Sequence, residues 1–439
     1  MRRRLLPNLL IALIVIILAG GAYTFLKDMD GPTVTISPKT DRISPMTQLT
    51  IGMEDKSGIR ELELGIRKDN EVKRFFRKHY DEYVNYREEV VSLREANLTD
   101  GAFELVIKVT DASMAGFGHG NTHTESLPMR LDAQPPRLSI KTLPPNVRRG
   151  GAAVVRFTAD EEVTNCGVLI NRFVPAYLQK DGSWVCLYPY PYAMAPQDYK
   201  NSVQITATDL AGNKTTSHLT VLAYDRRFRN DKLTISDSFL QQVQSKLGNL
   251  APNAPDPLQC YLTINTQVRA QNIAKLQTLS HESASAMLFD GVFIHMPRAA
   301  TRANFADHRT LIYQNQVVGE AYHLGIDLAS VRNAEIPAAN SGKVVFTGDM
   351  GVYGNLCLID HGLGLFSLYA HMNDFTVKPG DLVKKGDLIG HTDSTGLAFG
   401  DHLHFGIIVG GLEVTPIEWL DPKWVRNIVN NINGTVPAR

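Results

Sequence analysis

The stretch Gly400-Asp401-His402-Leu403-His404-Phe405-Gly406-Ile407-Ile408-Val409 constrains this chain more than any other. Its apolar, β-branched content favours a strand. In a strand, residues i and i+2 share a face, so His402 and His404 stand side by side while Leu403 turns away. Upstream, His323 and Asp327 lie four apart with Gly325 between them, and His371 closes the apolar run 365–371. Six of the chain's 13 histidines fall within residues 323–405. Two neutral imidazoles and one carboxylate make a common hydrolytic metal set, with a further position left open for water.

The motifs His323-Leu-Gly-Ile-Asp327, Tyr369-Ala-His371, Ser394-Thr395-Gly396 and His402-Leu403-His404-Phe405 resemble those of M23 family zinc metallopeptidases of the lysostaphin or LytM type. The resemblance covers about residues 320–420. It implies an antiparallel β peptidase domain, a Zn2+ cofactor held by His323, Asp327 and His404, and two catalytic histidines that are not ligands, His371 and His402. Zinc so held polarises a carbonyl and lowers the pKa of water toward roughly 7–9. The two catalytic histidines then share proton transfer and stabilisation of the intermediate, in an order the sequence leaves open. There is no HExxH, so a glutamate base is not expected. The resemblance further implies a peptidoglycan endopeptidase acting on cross-links or stem peptides, with meso-diaminopimelate cross-links favoured over polyglycine bridges. The alternative is a non-catalytic LytM-type activator of cell-wall amidases. Such activators usually lack metal ligands, whereas all five positions are kept here.

A chain of 439 residues exceeds one ordinary core and implies two to four domains. Lys+Arg and Asp+Glu are both 45, so no basic footprint for nucleic acid exists. The basic run 67–80 reads as a solvated strand pair. Arg2-Arg3-Arg4 precedes an uncharged stretch, residues 5–26, that as a helix would span roughly 33 Å, enough for a bilayer. An uncleaved single-pass anchor in the cytoplasmic membrane is expected, with the N-terminus inside and the catalytic domain in the periplasm or cell-wall space. A cleaved signal peptide is the competing reading, because residues 19–22 are small. That address leaves room for a divisome or wall-synthesis protein as partner. Cys166 and Cys186 lie in one β region and are either a disulfide or two thiols; Cys260 and Cys357 read as buried thiols.

The expected fold class is mainly β. Residues 1–27 form the transmembrane helix, and residues 28–134 and 135–224 form two β-sandwich modules. Both modules resemble bacterial immunoglobulin-like modules; the stretches Val109-Thr110-Asp111 and Ala207-Thr208-Asp209 open similar turns in each. Their expected role is a spacer between membrane and enzyme. Residues 225–318 form a short helical segment and cleft wall, and residues 319–439 the peptidase domain with a C-terminal helix. One helix is framed by Ser236 and Gly248, with Leu240, Val243 and Leu247 inward. A second is expected over 265–279, after a loop at 251–257. Residues 283–318 are a candidate plug for the cleft. His308, His361 and His391 read as structural, and Lys384 and Lys385 as turn residues.

Overall fold

The computed structural model describes residues 5–26, 28–68, 71–141 and 146–435. It is mainly β, as expected, and divides into two compact units.

The first unit comprises residues 1–136, 162–164 and 208–214. Its helix Leu5–Leu26 carries the uncharged N-terminal run. The side chains described there are those of residues 10–21 and Tyr23, a stretch shorter than a bilayer crossing. Among the described residues no helix is long and apolar enough to cross a membrane, and the anchor expected over 1–27 lies partly outside those residues. A three-stranded and a five-stranded sheet follow, around one core. Phe103, Leu105, Ile107 and Val109 all point into that core from strand Gly101–Asp111, as their alternation requires. The basic run lies on the hairpin Ile59–Lys68 and Glu71–His79, where Arg74 and Arg77 pair with Glu63 and Glu61.

The second unit is built on an antiparallel sheet. Its path runs Ala300–Ala303, Ile326–Ala329, Leu403–Val409, Leu365–Phe375, Asn355–Asp360, Gly342–Asp349 and Leu382–Val383. The central strand Leu403–Val409 is buried along its whole length, because both faces of the sheet are covered. On one face Leu403, Phe405, Ile407 and Val409 join a core with Trp419, Val425 and Ile428 of the C-terminal segment. Trp419 is fully buried against Phe289, Phe293 and Trp424. On the other face Phe366, Leu368, Ala370 and Ile408 meet Leu240, Val243, Tyr261 and Leu276 of the helical segment.

Three features depart from the sequence reading. Helical structure after the first helix begins at Pro257, not 265, because Asp256 caps it and Pro257 takes its first position. It then runs through a π-helical turn at Ile264–Val268 into helix Arg269–Leu279. The second β region does not stand apart as a spacer. Its sheet, ordered Tyr177–Leu178, Trp184–Pro189, Ala152–Ala159, Leu138–Ile140, sends Ala152, Val154, Val185 and Leu187 into the same core as Leu403, Phe405, Ile407 and Val409. Thr415 N donates to the Gly150 carbonyl at 2.7 Å, and Arg226 bridges to Glu418 at 2.7 Å. Finally, of the candidate plug 283–318, Phe289, Phe293 and Met296 are buried in the core, while Arg309 lines the wall of the cleft. The four cysteines are free thiols, all buried.

Candidate metal centre and its cleft

Strand register assembles the site. Asp327 sits opposite His404, which sits opposite Ala370 on the next strand. Opposed residues of an antiparallel pair share a face, so Asp327 and His404 project together beside the small Ala370. Leu403 and Phe405 point to the opposite core, which fixes the parity of the imidazoles. His323 ends strand Gln316–His323, and the turn at Leu324-Gly325 brings it back over Asp327.

Three ligand-type atoms converge. His323 Nε2 lies 2.9 Å from Asp327 Oδ1 and 2.9 Å from His404 Nδ1, and His404 Nδ1 lies 3.0 Å from Asp327 Oδ1. His323 Nδ1 donates to the Asn304 carbonyl at 2.9 Å, so the proton sits there and Nε2 offers a lone pair. His404 Nε2 is buried without a hydrogen-bond partner. With its proton on Nε2, His404 also turns a lone pair toward Asp327, and three electron-rich atoms face one another. A divalent cation at their common point satisfies all three. Tetrahedral bonds of about 2.0–2.1 Å would hold them roughly 3.3 Å apart, so the set need open by only a few tenths of an ångström. The residues present fit such an ion, and these three side chains are a group that can hold a metal.

His371 and His402 flank this group, their rings 4.9 Å apart. His371 Nδ1 donates to the Thr395 carbonyl at 2.7 Å, and His402 Nδ1 to the Gly400 carbonyl at 2.7 Å. Both therefore keep Nε2 for the cleft. His402 Nε2 lies 3.6 Å from Asp327 Oδ1. His371 adopts φ 62°, a left-handed backbone that costs a non-glycine residue roughly 1–2 kcal/mol. Its position is paid for by the surrounding fold.

The electrostatics follow from burial and proximity. Burial works to raise the Asp327 carboxyl, but the imidazoles of His323, His402 and His404 around it outweigh burial and hold the group far below the usual carboxylate range. Burial pushes the His404 imidazole down to about 4. Burial, then the neighbouring His404 and His402, hold His371 well below its ordinary value. On His402 burial opposes charge, but the nearby Asp327 carboxylate outweighs it and raises the pKa.

The other histidines stand away from this centre. His308 Nε2 lies 2.8 Å from Glu320, and its ring stacks on Tyr322 at 4.7 Å. His361 is buried, 2.7 Å from both the Ser341 carbonyl and Ser367 Oγ. His391 meets Asp374 at 2.9 Å. Sequence reasoning missed two cleft residues. A cleft of about 250 Å³ above the centre is lined by all five site residues, and also by Arg269 and Arg309. Strand parity could have found Arg309, which pairs with Ala321, two residues before His323.

The profile of Peptidase family M23 matches residues 321–416. The chain is 38% identical over 95 residues to the DD-carboxypeptidase/endopeptidase Mpg of Neisseria meningitidis serogroup B, covering 22% of each chain. It is 34% identical over 98 residues to the peptidoglycan DD-endopeptidase ShyA of Vibrio cholerae serotype O1, covering 22% of this chain and 23% of that one. It is also 34% identical over 113 residues to the murein hydrolase activator NlpD of Salmonella dublin, covering 26% of this chain and 30% of that one. The chain thus spans about a fifth to a third of the length of these curated relatives. At its C-terminus the chain carries an M23 peptidase family domain.

Proposed function

We propose that this protein is a zinc-dependent endopeptidase that cleaves cross-links or stem peptides of peptidoglycan. It would be held at the cytoplasmic membrane by its N-terminal segment, with the immunoglobulin-like β module of residues 28–134 between that segment and the enzyme. The observation that carries the reading is the convergence of His323, Asp327 and His404 within about 3 Å, beside two imidazoles tied at Nδ1 and free at Nε2. The relatives named for DD-endopeptidase activity support the substrate class.

When bound, zinc supplies Lewis acidity that polarises the scissile carbonyl and lowers the pKa of water. The chain's own residues do the rest. Asn304 fixes the tautomer of His323 through its carbonyl. Of His371 and His402, one accepts the proton of the attacking water at Nε2. The other holds a proton at Nε2 and passes it to the leaving amine.

The zinc-loaded full chain should release cross-linked peptides from purified peptidoglycan, read by mass spectrometry, and a chelator or His404→Ala should stop it. Cross-links left intact by the zinc-loaded protein would refute the reading. Likeness to NlpD favours a second reading, an activator of wall amidases. In that case His404→Ala would retain full stimulation of an amidase.

A further inference from the structure

The cleft holds more positive charge than the chemistry of the metal centre uses. Arg309 lies on strand Asp307–Tyr313, opposite Ala321. Residues 309, 321 and 323 share one face of that hairpin, and 321 and 323 are separated by about 7 Å along the strand. The small Ala321 leaves the guanidinium room beside His323. Arg269 reaches the same cleft from the helical side. It is anchored rather than loose: Nε and Nη2 donate to Asn265 Oδ1 at 3.3 and 3.2 Å, and Asn265 Nδ2 donates to the Glu320 carbonyl at 3.1 Å. Asn265 is buried within the π-helical turn, a local distortion often found at functional sites. Arg269 and Arg309 thus line one cleft from two sides.

Among the described residues no carboxylate forms an ion pair with Arg269 or Arg309, and no hydrogen bond occupies the Arg309 guanidinium. Glu320, the acid on the adjoining strand, turns to the other face and meets His308. Asp327, the acid that lines the cleft, is surrounded by His323, His402 and His404. Two half-buried guanidiniums that line one cleft without a counter-charge match a planar carboxylate, which arginine engages through paired N–H donors.

Resting on the peptidase reading above, we infer that Arg269 and Arg309 bind a free carboxylate of the substrate, the one on the carbon that bears the scissile amide nitrogen. Two peptidoglycan linkages carry that group. In a D-alanyl cross-link the acceptor centre of a diaminopimelyl residue keeps its carboxylate. In an uncross-linked stem the terminal D-alanine does. An interior glycine of a polyglycine bridge has none, so the arginines select against it.

The test uses the zinc-loaded full chain and three synthetic substrates: a D-alanyl-diaminopimelyl cross-linked dimer, a stem peptide ending in D-alanyl-D-alanine, and pentaglycine blocked as its C-terminal amide. The first two are made as the carboxylate and as the carboxamide at that carbon. The native protein should favour carboxylate over carboxamide by roughly tenfold or more in kcat/KM, the scale of one charged hydrogen-bonded contact. Arg309→Gln and Arg269→Gln should each erase that preference by slowing the carboxylate form alone, and Arg309→Lys should restore part of it. Whichever of the first two substrates is faster identifies the source of the carboxylate. Equal rates on the two forms, faster cleavage of pentaglycine, or variants that slow both forms alike would overturn the inference. Cleavage of no substrate by the native protein would instead strike the peptidase reading. Calorimetric binding then decides the inference by itself: tighter binding of the carboxylate form, lost in Arg309→Gln, upholds it, and equal or absent binding overturns it.

Discussion

Replacing Gly325 by alanine tests the metal centre without touching any ligand. A Cβ at Gly325 would lie 2.6 Å from His404 Nε2, 2.7 Å from its Cε1 and 2.7 Å from the Phe405 carbonyl oxygen. Ordinary contact begins near 3.4 Å, so the ring must retreat by about 0.8 Å. The carbonyl belongs to the central strand and cannot follow, because Phe405 is paired on both sides, with Ile326 and Tyr369. Metal–ligand bonds tolerate about 0.2 Å. Displacement of His404 by several times that amount should weaken zinc binding by at least the roughly 10- to 100-fold lost when supporting contacts are removed. Overpacking should also cost about 1–3 kcal/mol of stability. Zinc affinity is read by competition with a chromophoric chelator, and folding by circular dichroism and the thermal midpoint. A folded Gly325→Ala protein that binds zinc with native affinity would show that His404 is not held where the site requires it.

Other expectations follow from the same coordinates. Burial raises the Glu413 carboxyl to about 7, against its own backbone N–H and Arg172. The folded protein therefore holds that proton more tightly than the unfolded chain. The stabilisation is complete below the unfolded value of 4.5 and is lost as pH rises through about 7. The loss is of order 3 kcal/mol, and Glu413→Gln should flatten that part of the stability–pH curve; an unchanged curve in urea titrations would refute it. Trp419→Ala should cost about 3–5 kcal/mol by opening the core between Phe289, Phe293 and Trp424, seen as a lower denaturation midpoint. All four cysteines should titrate as thiols after unfolding, and reductant should leave the thermal midpoint unchanged; a mass two hydrogens light would contradict this.

Much of the site was legible because its determinants are local. The i, i+2 spacing of His402 and His404 sets their shared face, and the Leu403 and Phe405 parity confirms it from the opposite core. Ser236 and Gly248 framed a helix that the structure places at Asp237–Leu247. The start at Pro257 was also written locally, in Asp256-Pro257, but the prolines around it read as loop. What the sequence could not reveal is long-range. The apolar run at the start of Ala152–Ala159 says that the strand is buried, not that it is buried against residues of the C-terminal segment some 260 positions later. Arg269 and Arg309 share a cleft only because a helix and a hairpin meet above the sheet, and no local pattern encodes that meeting.

The joint interior of the second β region and the catalytic sheet has a practical result for anyone dissecting this protein. A fragment cut at residue 225 would strip Val154, Val185 and Leu187 from their neighbours and leave the Glu418 carboxylate without Arg149–Ala152 behind it. Such a piece would tend to aggregate, and its silence in an assay would say nothing about catalysis. The smallest fragment that keeps this core whole should therefore start upstream of Leu138, and changes of chain length are best made before that point.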